Sequence, residues 1–230
     1  AAIYEQAVSF DCTGPSTFSL VGPVNGKLST GCASTTFEWQ AATDKNSPVT
    51  YDLVFTDGTS TWTIPAGTNT SASPDTALCP PSSGSYTWHV VASDALGNKT
   101  QSDSRTVLFD HDAPAAFAVT SEQGLNKNRV GCSTTTPVSI AWGATSDVGP
   151  GGLSPDGYAV LVDSSGDGSF DYSVPVAGGA TSYTFTGLAE GEWGYAVQIC
   201  DNAANCTTAT PLSTGKFTID PGFMSTAACD

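Results

Sequence analysis

The chain has 230 residues, and its 22 acidic residues against 7 Lys and Arg give a formal net charge of −15 at pH 7. This excess of negative charge repels phosphate backbones and anionic lipid, so we expect no nucleic-acid partner. No segment approaches the roughly 18 to 20 consecutive apolar residues of a membrane span, so we expect no membrane insertion. The 7 Cys, 24 Gly and 14 Pro favour turn-rich β structure in an oxidising compartment, which predicts a secreted or cell-surface protein.

The sequence contains an internal repeat. The segment YTWHVVASDALGN at 86–98 and the segment WGYAVQICDNAAN at 193–205 share one pattern, 107 positions apart, in which apolar and polar residues alternate as in a strand. Trp39 and Trp142 match at an offset of 103, since the second copy has four more residues in the following loop. We therefore divide the chain into an N-terminal segment 1–14, unit 1 at 15–109, a linker 110–113, unit 2 at 114–220 and a C-terminal tail 221–230.

Each unit is predicted to consist of short strands separated by Gly, Pro, Asn and Asp, which is typical of a β-sandwich. The predicted strands of unit 1 are Thr17–Val21, Thr35–Gln40, Thr50–Thr56, Thr61–Ile64, Ala77–Cys79, Ser85–Ser93 and Thr100–Phe109. Those of unit 2 are Ala116–Thr120, Val138–Gly143, Gly157–Asp163, Phe170–Val174, Ser182–Thr186, Glu192–Cys200, Cys206–Thr210 and Lys216–Ile219. The predicted inward positions are Phe37, Trp39, Tyr51, Leu53, Phe55, Tyr86, Trp88 and Val90, matched by Ile140, Trp142, Tyr158, Val160, Val162, Trp193, Tyr195 and Val197. The fold class is all-β, with two tandem sandwiches.

The motifs of both units resemble those of bacterial fibronectin type III and immunoglobulin-like repeats. The stretch SYTFTGLAEGEWGYAVQICDNAANC resembles their E strand, Gly-Leu-x-x-Gly corner, F strand and F–G turn, and ASDALGN resembles their Asp-x-x-Gly-Asn turn. DHDAPAAFAV is similar to the linkers that begin such repeats. The resemblance implies immunoglobulin-like, fibronectin type III-like sandwiches that serve as spacers, adhesive modules or stalks of surface proteins.

The cysteines predict a disulfide framework. Cys200 and Cys206 flank a five-residue turn between two paired strands, a spacing that a local disulfide can bridge. Cys32 and Cys79 precede two strands that start at the same end of a seven-stranded sandwich, so we expect them to pair across the sheets. Cys132 has no equivalent partner in unit 2.

Two cysteines remain to be assigned. Cys229 follows the last strand by enough residues to fold back, so it is the best candidate partner for Cys132. Cys12 is then left over. An odd cysteine in a secreted chain suggests an intermolecular disulfide, a bond to a missing segment, or a buried thiol.

A hairpin of unit 2 predicts a weak structural calcium site. The sequence DSSGDGSFD offers hard oxygen ligands at alternate positions of a loop that bends at Gly168, as in calcium loops of the Asp-x-Asp-x-Asp-Gly type. The candidate ligands are Asp163, Ser165, Asp167 and Asp171. The twelfth position is Val174, so the bidentate Glu of such loops is missing.

Two alternatives to this calcium loop stay open. In the first, the loop is a hairpin rich in Gly and Asp whose carboxylates face water. In the second, an ion lies at the linker, held by Asp110 and Asp112 together with Asp147 or Asp201. The turn residues Asp94 and Asn98 likewise have two interpretations, as ligands at an exposed loop tip or as side chains that hydrogen-bond their own backbone.

Catalysis has little support in the sequence. The two histidines, His89 and His111, lie on an outward strand position and in the linker, and no Gly-x-Ser-x-Gly motif occurs. We expect no enzyme.

The expected function is that of an extracellular structural or adhesive module, such as part of a surface filament or stalk, with other copies of itself or surface components as partners. The alternative is a carbohydrate-binding module in which Trp62 and Tyr172, on corresponding strands, stack against a glycan. These two aromatic residues can also simply cap the edge of each sandwich.

Overall fold

The computed structural model describes residues 11–45, 48–123, 138–176, 179–186, 188–189 and 191–219. Contacts divide the chain into two compact units, Ala1–His111 and Asp112–Asp230. Within the described residues, no helix has the length and apolar character needed to cross a membrane.

Unit 1 consists of two facing β-sheets. Its strands are β1 (Leu20–Gly22), β2 (Lys27–Ser29), β3 (Phe37–Trp39), β4 (Thr50–Thr56), β5 (Thr61–Gly67), β6 (Ser71–Ala72), β7 (Gly84–Ser93), β8 (Lys99–Gln101) and β9 (Arg105–Phe109). One sheet has the order β1-β3-β6, and the other has the order β2-β9-β7-β4-β5 with β8 paired to β7. All pairs are antiparallel except β2 with β9.

Unit 2 repeats this arrangement. Its strands are β10 (Val119–Gln123), β11 (Val138–Trp142), β12 (Leu153–Asp163), β13 (Tyr172–Val176), β14 (Ser182–Phe185), β15 (Gly191–Asp201), β16 (Cys206–Thr208) and β17 (Lys216–Ile219). One sheet has the order β10-β11-β14, and the other has the order β13-β12-β15-β16 with β17 also paired to β15. The prediction of two tandem immunoglobulin-like sandwiches is therefore confirmed.

The two units also share the register of their central strands. Phe55 pairs with Trp88 across β4 and β7, and Val162 pairs with Tyr195 across β12 and β15, which are the same positions 107 residues apart. All sixteen predicted inward positions are buried, and each unit has its own core cluster. Alternation with a period of two was sufficient to find them, because successive side chains of a strand point to opposite faces.

The predicted strand Ala77–Cys79 is wrong. This segment overlaps a 3-10 turn, Thr76–Leu78, which Asp75 caps by accepting a hydrogen bond from the backbone N of Ala77 at 3.3 Å. Ser71–Ala72 pairs with β3 in its place. A short side-chain cap therefore outweighed the apolar character of the predicted strand.

The predicted strand Thr100–Phe109 is divided into β8 and β9. Between them, the backbone N of Ser102 donates to the carbonyl of Val90 at 2.9 Å, and the Oγ of Ser102 accepts from the backbone N of Val90 at 3.0 Å. The hydroxyl thus occupies a position that a ladder carbonyl would otherwise fill, which interrupts the strand.

Candidate functional site

The same Asp–Asn turn closes one hairpin in each unit. In unit 1, the Oδ1 of Asp94 accepts from the backbone N of Leu96 at 2.9 Å and of Asn98 at 2.8 Å, while its Oδ2 accepts from the Nδ2 of Asn98 at 2.7 Å. In unit 2, the carboxylate of Asp201 accepts from the backbone N of Asn205 at 2.8 Å and from its Nδ2 at 2.7 Å. The side-chain amide of Asn98, followed by these backbone amides, holds the pKa of Asp94 below its ordinary value. These hydrogen bonds support the structural interpretation of the turn.

The asparagine of each turn also fixes the segment that leads into its unit. The Nδ2 of Asn98 donates to the carbonyl of Asp11 at 3.2 Å, and the Nδ2 of Asn205 donates to the carbonyl of Asp112 at 3.2 Å. A threonine two residues later adds a second hydrogen bond in both units, from Thr100 to the carbonyl of Pro15 and from Thr207 to that of Pro114. Each turn therefore holds the start of its own unit.

Carboxylates from distant parts of the sequence meet at this turn. In unit 1, carboxylate oxygens of Asp11, Asp44 and Asp94 lie within 4.8 Å of one another, and we call these residues the aspartate corner of unit 1. In unit 2, Asp147 and Asp201 have carboxylate oxygens within 4.8 Å of each other, and they form the aspartate corner of unit 2. The two corners occupy matching positions, because Asp44 and Asp147 follow Trp39 and Trp142 by five residues each.

Asp147 differs from the other aspartates of these corners in its surroundings. The residue is only partly buried, but both of its carboxylate oxygens are fully buried and have no hydrogen-bond partner in the described part of the chain. Asp201 beside it is 3% exposed. Two carboxylates thus approach each other away from water, and one of them lacks a hydrogen-bond donor.

The predicted calcium loop has a different geometry. Asp163 is 1% exposed, and its oxygens accept from the backbone N of Ser165 at 3.1 Å, of Gly166 at 2.7 Å and of Gly168 at 2.8 Å. The hydroxyl of Ser165 donates to the same carboxylate at 3.2 Å. Burial alone would raise the pKa of Asp163, but these hydrogen bonds outweigh burial and lower it.

The remaining loop carboxylates also accept hydrogen bonds locally. Asp171 accepts from the backbone N and the hydroxyl of Ser164 at 2.7 and 2.6 Å, and Asp167 accepts from the backbone N of Ser169 at 2.7 Å. Asp163, Asp167 and Asp171 do not form a group of three converging carboxylates in the described structure. Calcium binding by this loop stays a prediction.

Two of the predicted disulfides are present. Cys32 is bonded to Cys79, and Cys200 is bonded to Cys206. Cys12 is exposed and has no disulfide partner among the described residues. Cys132 and Cys229 lie outside the described residues, so their pairing stays a prediction.

The two aromatic residues proposed for glycan stacking have different environments. Trp62 is partly buried and packs edge-to-face on Tyr86, with ring centroids 5.6 Å apart, at the border of the unit 1 core. Tyr172 is 46% exposed on β13, and Phe170 just before it is 49% exposed. Trp62 thus has the position of an edge cap, whereas Tyr172 presents its ring to solvent.

Sequence reasoning missed the aspartate corner of unit 1. It named Asp147 and Asp201 as partners for an ion at the linker, but it did not carry them over to unit 1. The offset of 103 that relates the two tryptophans also relates Asp147 to Asp44, and the offset of 107 relates Asp201 to Asp94. The repeat itself was therefore the signal that could have found this corner.

No protein-family model matches the sequence, and no curated protein matches it. Among solved structures, the chain is similar to the fibronectin(III)-like modules of Clostridium thermocellum CbhA, with 16% identity, a TM-score of 0.46, and coverage of 93% of this chain and 100% of that one. It is also similar to the FN1-FN3 domains of chicken CNTN1, with 15% identity, a TM-score of 0.35, and coverage of 86% of this chain and 66% of that one.

Proposed function

We propose that the protein is a non-catalytic extracellular structural or adhesive module, part of a surface filament or stalk whose partners are further copies or other surface components. The observation that carries this proposal is the duplicated turn. In both units the Asp and Asn side chains of the turn, and the Thr two residues after it, hydrogen-bond to backbone groups of their own unit. The two disulfides, Cys32–Cys79 and Cys200–Cys206, suit an oxidising, extracellular environment.

The environments of the histidines support a non-catalytic role. His89 lies on the outer face of β7, where burial lowers its pKa. His111 stacks on Phe109 with ring centroids 6.3 Å apart, and its backbone N donates to the Oγ of Ser83 at 2.8 Å. A nucleophilic site needs a base whose ring is aimed at a nucleophile, whereas this serine accepts from the main chain of His111.

The free edges of the larger sheets limit how copies could associate. β5 lies at one edge of the larger sheet in unit 1 and β13 at one edge of that in unit 2, and each contains a proline, Pro65 opposite Asp52 and Pro175 opposite Ala159. Proline has no N–H to donate to an added strand, so it discourages edge-to-edge pairing. Adhesive contacts through loops or sheet faces fit these edges better than strand addition.

Sedimentation velocity and negative-stain microscopy of the purified chain test this proposal. We expect defined oligomers or fibres that form with increasing concentration. The variant Pro175→Ala should form them to the same extent as the wild-type chain, because the contacts do not use strand addition at β13. A chain that stays monomeric at every concentration and binds no surface component would contradict the proposal. So would hydrolytic or transfer activity that His89→Gln abolishes.

Carbohydrate binding is the second candidate, and the exposed pair Phe170 and Tyr172 favours it. Aromatic rings that face solvent can stack on sugar rings, whereas the ring of Trp62 is already packed on Tyr86. A glycan array with the wild-type chain, Tyr172→Ala and Trp62→Ala tests this candidate. Binding that is lost with either Ala variant would favour a carbohydrate-binding module, and an array without signal would exclude it for the glycans presented.

A further inference from the structure

The turn between β15 and β16 differs from its counterpart in unit 1 by a disulfide. We call residues 200–207 the latch turn and residues 93–100, which lie 107 positions earlier, the matched turn. In the latch turn, Cys200 and Cys206 stand opposite each other in the strand register and are bonded. The matched turn folds without this cross-link, since Ser93 stands at the position of Cys200.

The latch turn also carries backbone strain that the matched turn avoids. Ala204 has a φ of 76°, and it is the one non-glycine residue with a positive φ in the part of the chain that the structure describes. The matched turn has Gly97 at this position, with a φ of 88°. A Cβ is unfavourable in this left-handed region, which glycine adopts readily. The disulfide and the strain therefore occur together in one turn, and the other turn has neither.

The latch turn holds the first residues of unit 2 in place. Asn205 donates from Nδ2 to the carbonyl of Asp112 at 3.2 Å, and the hydroxyl of Thr207 donates to the carbonyl of Pro114. The carboxylate of Asp201 positions Asn205 by accepting from its backbone N at 2.8 Å and from its Nδ2 at 2.7 Å. A change in the geometry of the turn would therefore release the start of unit 2 from these contacts.

The disulfide of the latch turn is accessible to dissolved thiols, whereas the disulfide of unit 1 is buried. Cys206 is exposed and Cys200 is partly buried, but Cys32 is 0% and Cys79 is 9% exposed. A thiolate must reach a sulfur atom in order to attack it, so an exposed disulfide is reduced more readily than a buried one. The bond between Cys200 and Cys206 also joins residues only 6 positions apart, so it is worth less in chain entropy than the bond across 47 positions.

We propose that the bond between Cys200 and Cys206 is a redox-sensitive latch, whose reduction by low-molecular-weight thiols opens the strained turn and frees the start of unit 2. A thiolate of the reductant attacks the Sγ of Cys206, the S–S bond breaks, and Cys200 leaves as a thiolate that takes up a proton. A second thiol group of the reductant then attacks the mixed disulfide, which releases Cys206 and forms the disulfide of the reductant. Two electrons and two protons thus pass to the two cysteines. This inference stands whether or not the chain is an adhesive module.

Selective reduction of the native full chain is the first test. After mild treatment with dithiothreitol and alkylation, peptide mapping should find Cys200 and Cys206 alkylated while Cys32 and Cys79 stay bonded to each other. Reduction of both disulfides at the same rate, or resistance of the bond between Cys200 and Cys206, would overturn the proposal.

Hydrogen exchange measured by NMR then reports what reduction does to the turn. The protection of the backbone amides of Asp201, Asn205 and Ala115 should fall roughly 10- to 50-fold, a factor that follows from the entropy of the short loop. Ala115 reports on the start of unit 2, where its backbone N donates to the carbonyl of Ser146 at 2.8 Å. Asp94, in the matched turn, should keep its protection. Unchanged protection of Asn205 and Ala115 after reduction would overturn the proposal.

Ala204→Gly distinguishes a latch on a strained turn from a disulfide that merely stiffens a hairpin. Glycine relieves the left-handed strain, so the loss of protection on reduction should be smaller in this variant by roughly fivefold. The matched substitution Gly97→Ala should lower the protection of Asp94 by a similar factor, with or without dithiothreitol. Cys200→Ser/Cys206→Ser should resemble the reduced chain and should not respond to dithiothreitol. Equal losses on reduction in the wild type and in Ala204→Gly would overturn the role of the strained turn.

Discussion

Removal of the Cys32–Cys79 disulfide should destabilise unit 1 more than removal of Cys200–Cys206 destabilises unit 2. The first bond joins residues 47 positions apart, and the second joins residues 6 apart. In the chain-entropy account, a cross-link stabilises by restricting the unfolded chain, and the effect grows with the logarithm of the loop. The two loops correspond to about 4 and about 2 kcal/mol of unfolding free energy respectively.

Burial adds to the larger effect. Cys32 is 0% and Cys79 is 9% exposed, so replacing both with Ala also removes buried sulfur from the unit 1 core. Treated as groups of methylene size, the two sulfurs add roughly 1 to 2 kcal/mol. We expect a total loss of about 5 kcal/mol in unit 1, a large part of the stability of an ordinary domain.

Differential scanning calorimetry of Cys32→Ala/Cys79→Ala and of Cys200→Ala/Cys206→Ala measures the two effects in one chain. Each unit has its own core, so we expect two transitions, of which only the unit 1 transition shifts strongly in the first variant. The shift should be about 15 to 25 °C. Equal shifts in the two variants, or a larger shift for the short loop, would refute the loop-entropy reasoning. Non-reducing peptide maps of the wild-type chain serve as the control for both bonds.

Two further predictions concern hydrogen bonding and protonation. Tyr195 is buried and donates its hydroxyl to Glu122, and burial together with this carboxylate raises the pKa of the phenol. Tyr195→Phe should therefore lower the unfolding free energy of unit 2 by about 1.5 to 3 kcal/mol in denaturant titrations, whereas Tyr172→Phe should not, and equal losses would contradict this. Burial lowers the pKa of His89, so the folded state binds fewer protons than the unfolded state and the contribution of neutral His89 to stability is lost as the pH falls below about 6.5. His89→Gln should flatten the pH dependence of unit 1 stability in that range, and a pH dependence unchanged from wild type would contradict the assignment.

The residues of the two cores and the two disulfides Cys32–Cys79 and Cys200–Cys206 could be predicted from the sequence alone. Positions such as Phe55 and Trp88 were found by alternation, because a strand necessarily turns every second side chain to the same face. Cys200 and Cys206 were predicted to pair because the hairpin between them is local, and they stand opposite each other in the register of β15 and β16. Features that depend only on neighbours in sequence, or on the repeat, are available before any fold is known.

Features that depend on competition between local groups were not predictable. The segment Ala77–Cys79 has the composition of a strand, but the side chain of Asp75 caps a 3-10 turn at Thr76–Leu78 that overlaps it. The spacing of Asp163, Asp167 and Asp171 suggested that their carboxylates converge on one point. In the structure, each carboxylate instead accepts hydrogen bonds from backbone N–H groups of the loop near it. The spacing of residues along the chain does not determine which hydrogen-bond donor a carboxylate pairs with in the folded structure.

The aspartate corners were decided by tertiary structure. Asp44 and Asp94 are 50 residues apart in sequence, and they meet because antiparallel pairing sets Thr50, at the start of β4, opposite Ser93, at the end of β7. The sequence by itself determined that each unit has an aspartate after its tryptophan strand and another in its hairpin turn. Only the strand register brought their charges together, since the direction and pairing of distant strands fix which loops share one end of a sandwich.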